Sequence, residues 1–308
     1  MIISVSRRTD IVAFYMPWFM NRVRANKAVY YNPFNFKGYE ISLKPKDVDV
    51  LVFISKDYQP LLPYLDELKS RYNLYFHYTI TGLSGIFEER VPPIEKTIPS
   101  FKELAKRTSS KQVEWRFDPI VLTNITPPEF YRKKFLQIAS RLEGYTHRCY
   151  FSFATIYDKV KRNFKKLKKK GIQLMEPDLK LWRQLADELA SLGRRYGIQL
   201  YSCCNDFLIS DMVKKGRCID GEHLSQLFNL NKKFHTYPTR EGCGCAKCVD
   251  LGVYDTCPHG CIYCYANVNK QITWKNYKAH SPEEELLIKG KIEVVKRLKE
   301  EREQMSLF

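Results

Sequence analysis

A chain of 308 residues with 44% hydrophobic and 14% aromatic side chains is long enough for one large globular domain or two smaller ones. No run reaches the roughly 18 uncharged apolar residues of a membrane span, and residues 1–8 lack the basic-then-apolar order of a signal peptide, so a cytoplasmic protein without a membrane partner is expected. The 51 Lys and Arg against 34 Asp and Glu leave a net charge of +17, which favours acidic partners such as nucleic acid.

Residues 2–6 (IISVS) are apolar and β-branched and predict a buried first strand. Arg7-Arg8-Thr9-Asp10 follows at its carboxyl end. Residues 11–23 predict a helix, started or kinked at Pro17. Further strands are predicted at 48–55, 74–81, 112–117, 148–156 and 198–203, with helices at 61–71, 94–107, 128–142 and 178–196. The run 159–170 (KVKRNFKKLKKK) holds eight basic residues in twelve, and its plain reading is a solvated basic helix face.

Six strand–helix alternations predict a mostly parallel α/β fold, expected as a partial (β/α) TIM-like barrel with about six parallel strands. An open doubly wound sheet is the competing layout. Either way, ligands meet the carboxyl ends of the strands, where the candidate catalytic groups stand: Arg7, Arg8, Asp10, Lys56, Arg116, Asp118 and Tyr157. Any one of them also fits a structural salt bridge or a loop cap. Arg7, Arg8 and Asp10 form the better group, because three charges at one strand end are costly unless paired or used.

This α/β unit is expected over residues 1–229, followed by a Cys-rich segment over 230–308. Residues 230–267 are rich in Cys, Gly and polar side chains without periodicity, so a bound metal centre is the expected organiser. A closing helix is predicted from 282 to about 302, with Ser281 as its N-cap and acids at 283–285 in its first turn.

Of ten cysteines, six fall within twenty-two residues: Cys243, Cys245, Cys248, Cys257, Cys261 and Cys264. In a reducing compartment such clustering points to metal rather than disulfides. Cys245-x2-Cys248 and Cys261-x2-Cys264, twelve residues apart, have the form of a zinc ribbon, but that leaves Cys243 and Cys257 unexplained, whereas two triplets account for all six. Cys149, inside a predicted strand, reads as a small core residue.

The spacing Cys257-x3-Cys261-x2-Cys264, with Tyr263 before the last cysteine, resembles the cluster motif of radical S-adenosylmethionine (SAM) enzymes. The longer stretch Cys-Pro-His-Gly-Cys-Ile-Tyr-Cys-Tyr-Ala-Asn is most similar to the spore photoproduct lyase, or DNA-repair-lyase-like, branch. Nearly the whole chain is similar to a bacterial family known as domain of unknown function 1848, on Ser6-Arg7-Arg8-Thr9-Asp10, Arg116-Phe117-Asp118-Pro119-Ile120 and the late cysteine block. The first resemblance implies that Cys257, Cys261 and Cys264 bind a [4Fe–4S] cluster whose fourth iron is chelated by SAM. An external one-electron reductant would then drive cleavage of SAM to methionine and a 5′-deoxyadenosyl radical. It also implies that Tyr263 lies by the adenine. His259, within the motif, is placed to bond a cluster sulfur or SAM, and as a loop histidine it fits equally an exposed residue with no role. A second iron–sulfur cluster would be held by Cys243, Cys245 and Cys248, with Cys204 as fourth ligand, Cys203 and Cys218 being the other choices. In that family the motif normally follows the first strand. Here only 44 residues follow Cys264, so the loop is expected to return from the C-terminal side onto strands already built.

Charge, the 20 Tyr and 18 Phe and the repair-lyase-like loop favour a nucleic acid or nucleotide substrate. The rival expectation is a zinc-stabilised nucleic-acid-binding protein without redox chemistry.

Overall fold

The computed structural model describes residues 1–83, 85–288 and 294–295. In chain order the elements are β1 (Ile2–Val5), α1 (Ile11–Phe14), α2 (Met16–Arg24), β2 (Lys27–Tyr31), β3 (Gly38–Ser42), β4 (Val50–Ser55), a 3-10 turn (Gln59–Tyr64) leading into α3 (Leu65–Lys69), β5 (Leu74–Thr79), α4 (Ile94–Arg107) and β6 (Val113–Ile120). They continue with α5 (Pro128–Leu142), β7 (Arg148–Phe153), α6 (Asp158–Lys168), α7 (Leu179–Arg194), β8 (Gln199–Ser202), β9 (Val213–Lys215), α8 (Gly221–Leu227), β10 (Cys248–Asp250), α9 (Lys270–Lys278) and β11 (Val294–Val295).

Eight strands form one parallel sheet in the order β10-β1-β4-β5-β6-β7-β8-β9, and β11, β3 and β2 form a separate three-stranded sheet. The central strands are mostly buried on both faces, as parallel strands covered on both sides must be, although β5 and β6 set His77, Glu114 and Arg116 among the apolar side chains. All six residues of β5 are buried. Alternation divides the side chains. Phe53 and Phe76 face the helical layer, stacking at 5.4 Å with Phe19 edge-on at 5.7 Å. Ile2, Val50, Val52 and Tyr75 face the other way and pack with Cys203, Cys218 and Cys245.

The sheet is strongly curled. His77 of β5 reaches the Cys218 carbonyl, beyond β9, with 2.6 Å between Nε2 and the oxygen. In a flat sheet β5 and β9 would stand four spacings, or about 19 Å, apart. Past the two edge strands, Ala246 N donates to Ile219 O at 2.8 Å.

All six predicted strands are present, with ends displaced by at most three residues. The expected count falls two short. β9 and β10 have three residues each and carry Lys214, Lys215 and Asp250 in place of an apolar run, so nothing in their sequence advertises a strand. Because β10 pairs with β1 (Ile2 opposite Cys248), the Cys-rich segment is woven into the main sheet. The hairpin of β2 and β3 was also not predicted. The predicted first helix is two helices broken at Tyr15, with Pro17 in the first turn of α2, where its missing N–H is tolerated. The basic run forms α6, which buries Val160, Phe164 and Leu167 and turns its lysines outward.

The predicted closing helix is not formed over 282–288, which are turns and bends. Side chains of α2 take the carbonyls there: Asn21 Nδ2 donates to Pro282 O (3.0 Å), Trp18 Nε1 to Glu284 O (3.0 Å) and Arg22 Nη2 to Glu283 O (3.4 Å). Val294 and Val295 pair in parallel with β3. The rest of that prediction lies outside the described residues. The helix that follows the cysteines is α9, capped by Asn269, whose Oδ1 accepts from Ile272 N at 2.9 Å. Among the described residues, no helix is long and apolar enough to cross a membrane.

Candidate functional site

The carboxyl ends of the strands hold most of the buried charge. Asp250, closing β10, accepts from Ser6 Oγ (2.6 Å), Ser4 Oγ (3.0 Å) and the backbone N–H groups of Arg7 and Gly252 (both 2.9 Å). Arg7 Nε adds a fifth donor at 3.3 Å. Burial opposes this carboxylate, but Arg7, Arg8 and the hydrogen bonds hold its pKa below the ordinary range. Gly252 is required here, since a Cβ would lie 1.8 Å from Ser6 Oγ. Asp250 thus ties β1 to β10.

Asp10 makes the corresponding tie to the cysteine loop. Its Oδ1 caps α1 by accepting from Ala13 N (2.9 Å) and also accepts from Ser55 Oγ (2.7 Å). Its Oδ2 accepts from Lys56 N (2.9 Å) and His259 Nε2 (2.8 Å). Four donors fill a carboxylate's acceptor capacity, so Asp10 serves as an anchor. His259 is buried, with Nδ1 3.3 Å from Arg90 O, while Arg90 N donates to His259 O at 2.9 Å. Gly260 takes the turn that follows with φ +74°, a conformation that favours glycine.

Held in this way, the loop lies on the ends of β1 and β4. Cys257, Cys261 and Cys264 are close enough to influence one another. Burial pushes the Cys257 thiol pKa up, and Asp10, Cys264 and Cys261 push it further. Burial likewise raises Cys261 and Cys264. Beside them, Lys56 Nζ pairs with Glu88 Oε1 at 2.8 Å, and Glu88, only 2% exposed, also accepts from Thr81 Oγ1 (2.9 Å) and the Tyr263 hydroxyl. Burial disfavours the Lys56 charge, but Glu88 and Cys261 outweigh it and hold the ammonium above its ordinary range. Lys56 also lies 5.7 Å over the Tyr263 ring. Ala266 N donates to Cys264 Sγ at 3.3 Å.

Soft thiols, half-buried and clustered, suit an iron–sulfur cluster, because the metal replaces protons that desolvation would otherwise favour keeping. The donor set therefore fits a [4Fe–4S] cluster bound through Cys257, Cys261 and Cys264. Among the described residues, no three Cys, His, Asp or Glu groups are drawn around one point as a single metal ion requires.

A second group of thiols lies on the inner face of the sheet. Cys203 and Cys218 stand 3.3 Å apart, Cys203 and Cys204 3.9 Å apart, and Cys245 Sγ accepts from the backbone N–H of Ile219, next to Cys218, at 3.5 Å. Three arginines donate to sulfurs of this group: Arg116 to Cys218 (3.0 Å), Arg240 to Cys204 (3.1 Å) and Arg7 to Cys248 (3.1 Å). The hydrogen bond from Cys203, with Arg240 adding to it, brings the Cys204 pKa down to about 6, while burial pushes Cys248 up to about 11. Of the candidate fourth ligands, Cys203 and Cys218 are paired, Cys204 lies against Cys203 and near Gly242, and Cys245 is held by the backbone N–H that follows Cys218. Cys149 is a fully buried core residue.

Two adjoining cavities open beside these groups. One, of about 290 Å³, is lined by Ser152, Tyr157, Cys203, Cys204 and Arg240; the other, of about 490 Å³, by Tyr157, Lys159, Tyr254 and Tyr265. Tyr157 stands between them. Arg116 pairs with Asp118, which accepts from Ser152 Oγ on the first cavity's wall. Arg8 turns outward, donating to Tyr31 O (2.9 Å) and lying 5.5 Å over the Tyr254 ring. From α6, Asn163 Nδ2 donates to Ile262 O (2.7 Å) and Lys159 Nζ to Tyr265 O, so the basic helix rests on the cysteine loop.

Sequence reasoning missed Glu88, Asp250 and Arg240. None sits in a motif, and each is defined by a partner at least 32 residues away.

No curated protein matches the chain. One family model matches residues 2–266, a span that takes in all eight strands of the main sheet and both cysteine groups, and the chain belongs to that family, described as Domain of unknown function (DUF1848).

Proposed function

We propose that this protein is a radical SAM-type iron–sulfur enzyme acting on a nucleic acid or nucleotide-type substrate, and that its curled sheet serves as a partial (β/α) barrel. The observation that carries this reading is the Cys257/Cys261/Cys264 triplet, whose loop is tied through His259 to Asp10 at the end of β1 and whose following residues, Tyr265 and Ala266, line the 490 Å³ cavity. When bound, the cluster and SAM supply one-electron cleavage of SAM to methionine and a 5′-deoxyadenosyl radical that abstracts hydrogen, the electron coming from an external reductant.

The chain's own residues do the positioning. Glu88 fixes both Lys56 and Tyr263, so a cation and an aromatic face stand beside Cys261. Asp10 and His259 set the path of the loop between Cys257 and Cys261. Tyr157, Tyr254 and Tyr265 are more than a third exposed around the second cavity and offer faces on which a base can stack. Arg162 and Lys166 of α6, at i+3 and i+7 from the cavity-lining Lys159, are exposed and suit phosphates. Free thiols throughout fit a cytoplasmic setting.

Anaerobic purification, iron and zinc analysis and a SAM-cleavage assay test the reading. The expected result is a brown protein absorbing near about 400 nm that releases 5′-deoxyadenosine under reduction and loses this activity in Cys261→Ala. A colourless protein with zinc and no iron would instead support a zinc-stabilised nucleic-acid-binding protein. An intact cluster with no 5′-deoxyadenosine formed would end the catalytic claim.

A further inference from the structure

The tip of the β2–β3 hairpin presents two phenylalanines that packing does not account for. Phe34 is 88% exposed and Phe36 68%, although a large apolar ring gains free energy by leaving water. The tip is nevertheless firmly built. Asn32 Oδ1 accepts from Phe34 N (2.9 Å), Asn35 Oδ1 accepts from Lys37 N (3.1 Å), and Asn32 N donates to Lys37 O (2.9 Å). Phe36 takes φ +57°, a left-handed backbone that is uncommon for a bulky side chain. Such positions persist only where the surrounding structure enforces them, and they cluster at ligand clamps.

A chain of contacts links this tip to the 490 Å³ cavity. The Phe36 and Tyr31 rings lie 6.3 Å apart, Arg8 Nη1 donates to Tyr31 O (2.9 Å), and Arg8 lies 5.5 Å over the cavity-lining Tyr254. Tyr157, Tyr265 and Lys159 line the same cavity, and Lys159 opens the basic face of α6 that carries Arg162 and Lys166. The one carboxylate in the cavity lining, Asp255, is occupied by the Val268 N–H. Aromatic faces and cations thus follow one another from contact to contact. That combination binds single-stranded nucleic acid, whose bases stack on rings while its phosphates meet cations. An anionic membrane or a second copy of the chain would also cover exposed phenylalanines, but neither makes use of a tyrosine-lined cavity beside them. We propose that these residues form the path of one nucleic-acid strand, with a base in the 490 Å³ cavity and neighbouring bases stacked on Phe36 and Phe34. Base faces are hidden inside a duplex, so the ligand is single-stranded. The proposal rests on the nucleic-acid reading of the substrate and not on the cluster.

Fluorescence anisotropy on the full chain, with a labelled DNA strand of about 16 nucleotides and its duplex, tests the path. The single strand should bind more tightly than the duplex. Phe34→Ala and Phe36→Ala, both surface changes, should each weaken it about fivefold or more. Arg162→Gln and Lys166→Gln should each reduce the slope of log affinity against log salt by about 0.7. Duplex binding as tight as that of the single strand, or unchanged binding by the Phe34→Ala/Phe36→Ala protein, would overturn the proposal. So would a dimer seen by sedimentation, or binding to phosphatidylglycerol/phosphatidylcholine vesicles, that this double variant loses, since the tip would then belong to a second copy or a membrane. A protein that releases 5′-deoxyadenosine but binds no strand sinks this path and spares the SAM chemistry. One that binds as expected but cleaves no SAM does the reverse.

Discussion

The two thiol groups of this protein are assembled in opposite ways. Cys257, Cys261 and Cys264 lie within eight residues of chain, and tertiary contacts only carry that prepared loop to the strand ends. Cys203, Cys218 and Cys245 span forty-three residues, and no local geometry brings them together; the curl of the sheet does. Their electrostatics differ too. The first group has a lysine buffered by a buried acid, Lys56 with Glu88. The second has three arginines donating directly to sulfur. Thiols alike in chemistry are thus set in surroundings that favour different amounts of negative charge.

The largest effect that sharpens this contrast is expected from Glu88→Gln. It leaves the Lys56 ammonium buried beside Cys261 without its carboxylate, and breaking such a pair costs about 3–5 kcal/mol. Urea denaturation should show the loss, while the environment of the inner thiols stays as in the wild type. A change below about 1 kcal/mol, the level of an exposed pair, would mean that the ion pair is effectively solvated.

A middle-sized effect concerns the floor beneath the inner thiols. Burial pushes the Glu114 pKa up to about 8, although Tyr75 donates to its Oε1 and Arg148 and His223 lie 4.0 and 3.8 Å away. A carboxyl raised in the folded state contributes stability at low pH and loses it as pH rises through the folded value. His77 and His223, both brought down to about 4 by burial, act in the opposite sense and only below their ordinary value of 6.5. The clean window is therefore pH 6.5 to 8, where wild type should lose about 2 kcal/mol relative to Glu114→Gln. Denaturation midpoints of the two proteins across that window check it, and parallel curves would refute it.

The smallest effect is expected from Arg116→Gln. It removes the donor to Cys218 and should slow alkylation of that thiol without changing alkylation of Cys257, Cys261 and Cys264. Iodoacetamide labelling followed by mass spectrometry separates the two groups. Equal changes in both would dissolve the distinction drawn here.

Much of the fold was legible in the chain. β4 and β5 are six-residue runs that are apolar but for Ser55, His77 and Thr79, and Ile94, Ile98, Phe101 and Ala105 repeat at helical spacing in α4. The places that escaped were those where a distant partner outweighs local preference. Ser281-Pro282-Glu283 has the composition of a helix start, yet the side chains of α2 claim its carbonyls. β10 has no strand signature and exists because β1 offers it an edge. Asp10 was legible as a charged residue at a strand end, but its role as the clasp for His259, 249 positions later, was not.

The sequence by itself determined the parallel strand–helix alternation, the polar residues at the strand ends and the outer cysteine triplet. Each depends on spacing within one short stretch, where backbone geometry fixes which side chains can meet. Only the tertiary structure decided that the Cys-rich segment enters the sheet, that Glu88 and Asp250 organise the site, and that Cys218 lies at the centre of the inner thiols. Those contacts link residues tens to hundreds of positions apart, and a curled sheet brings such residues together by a path that no local pattern records.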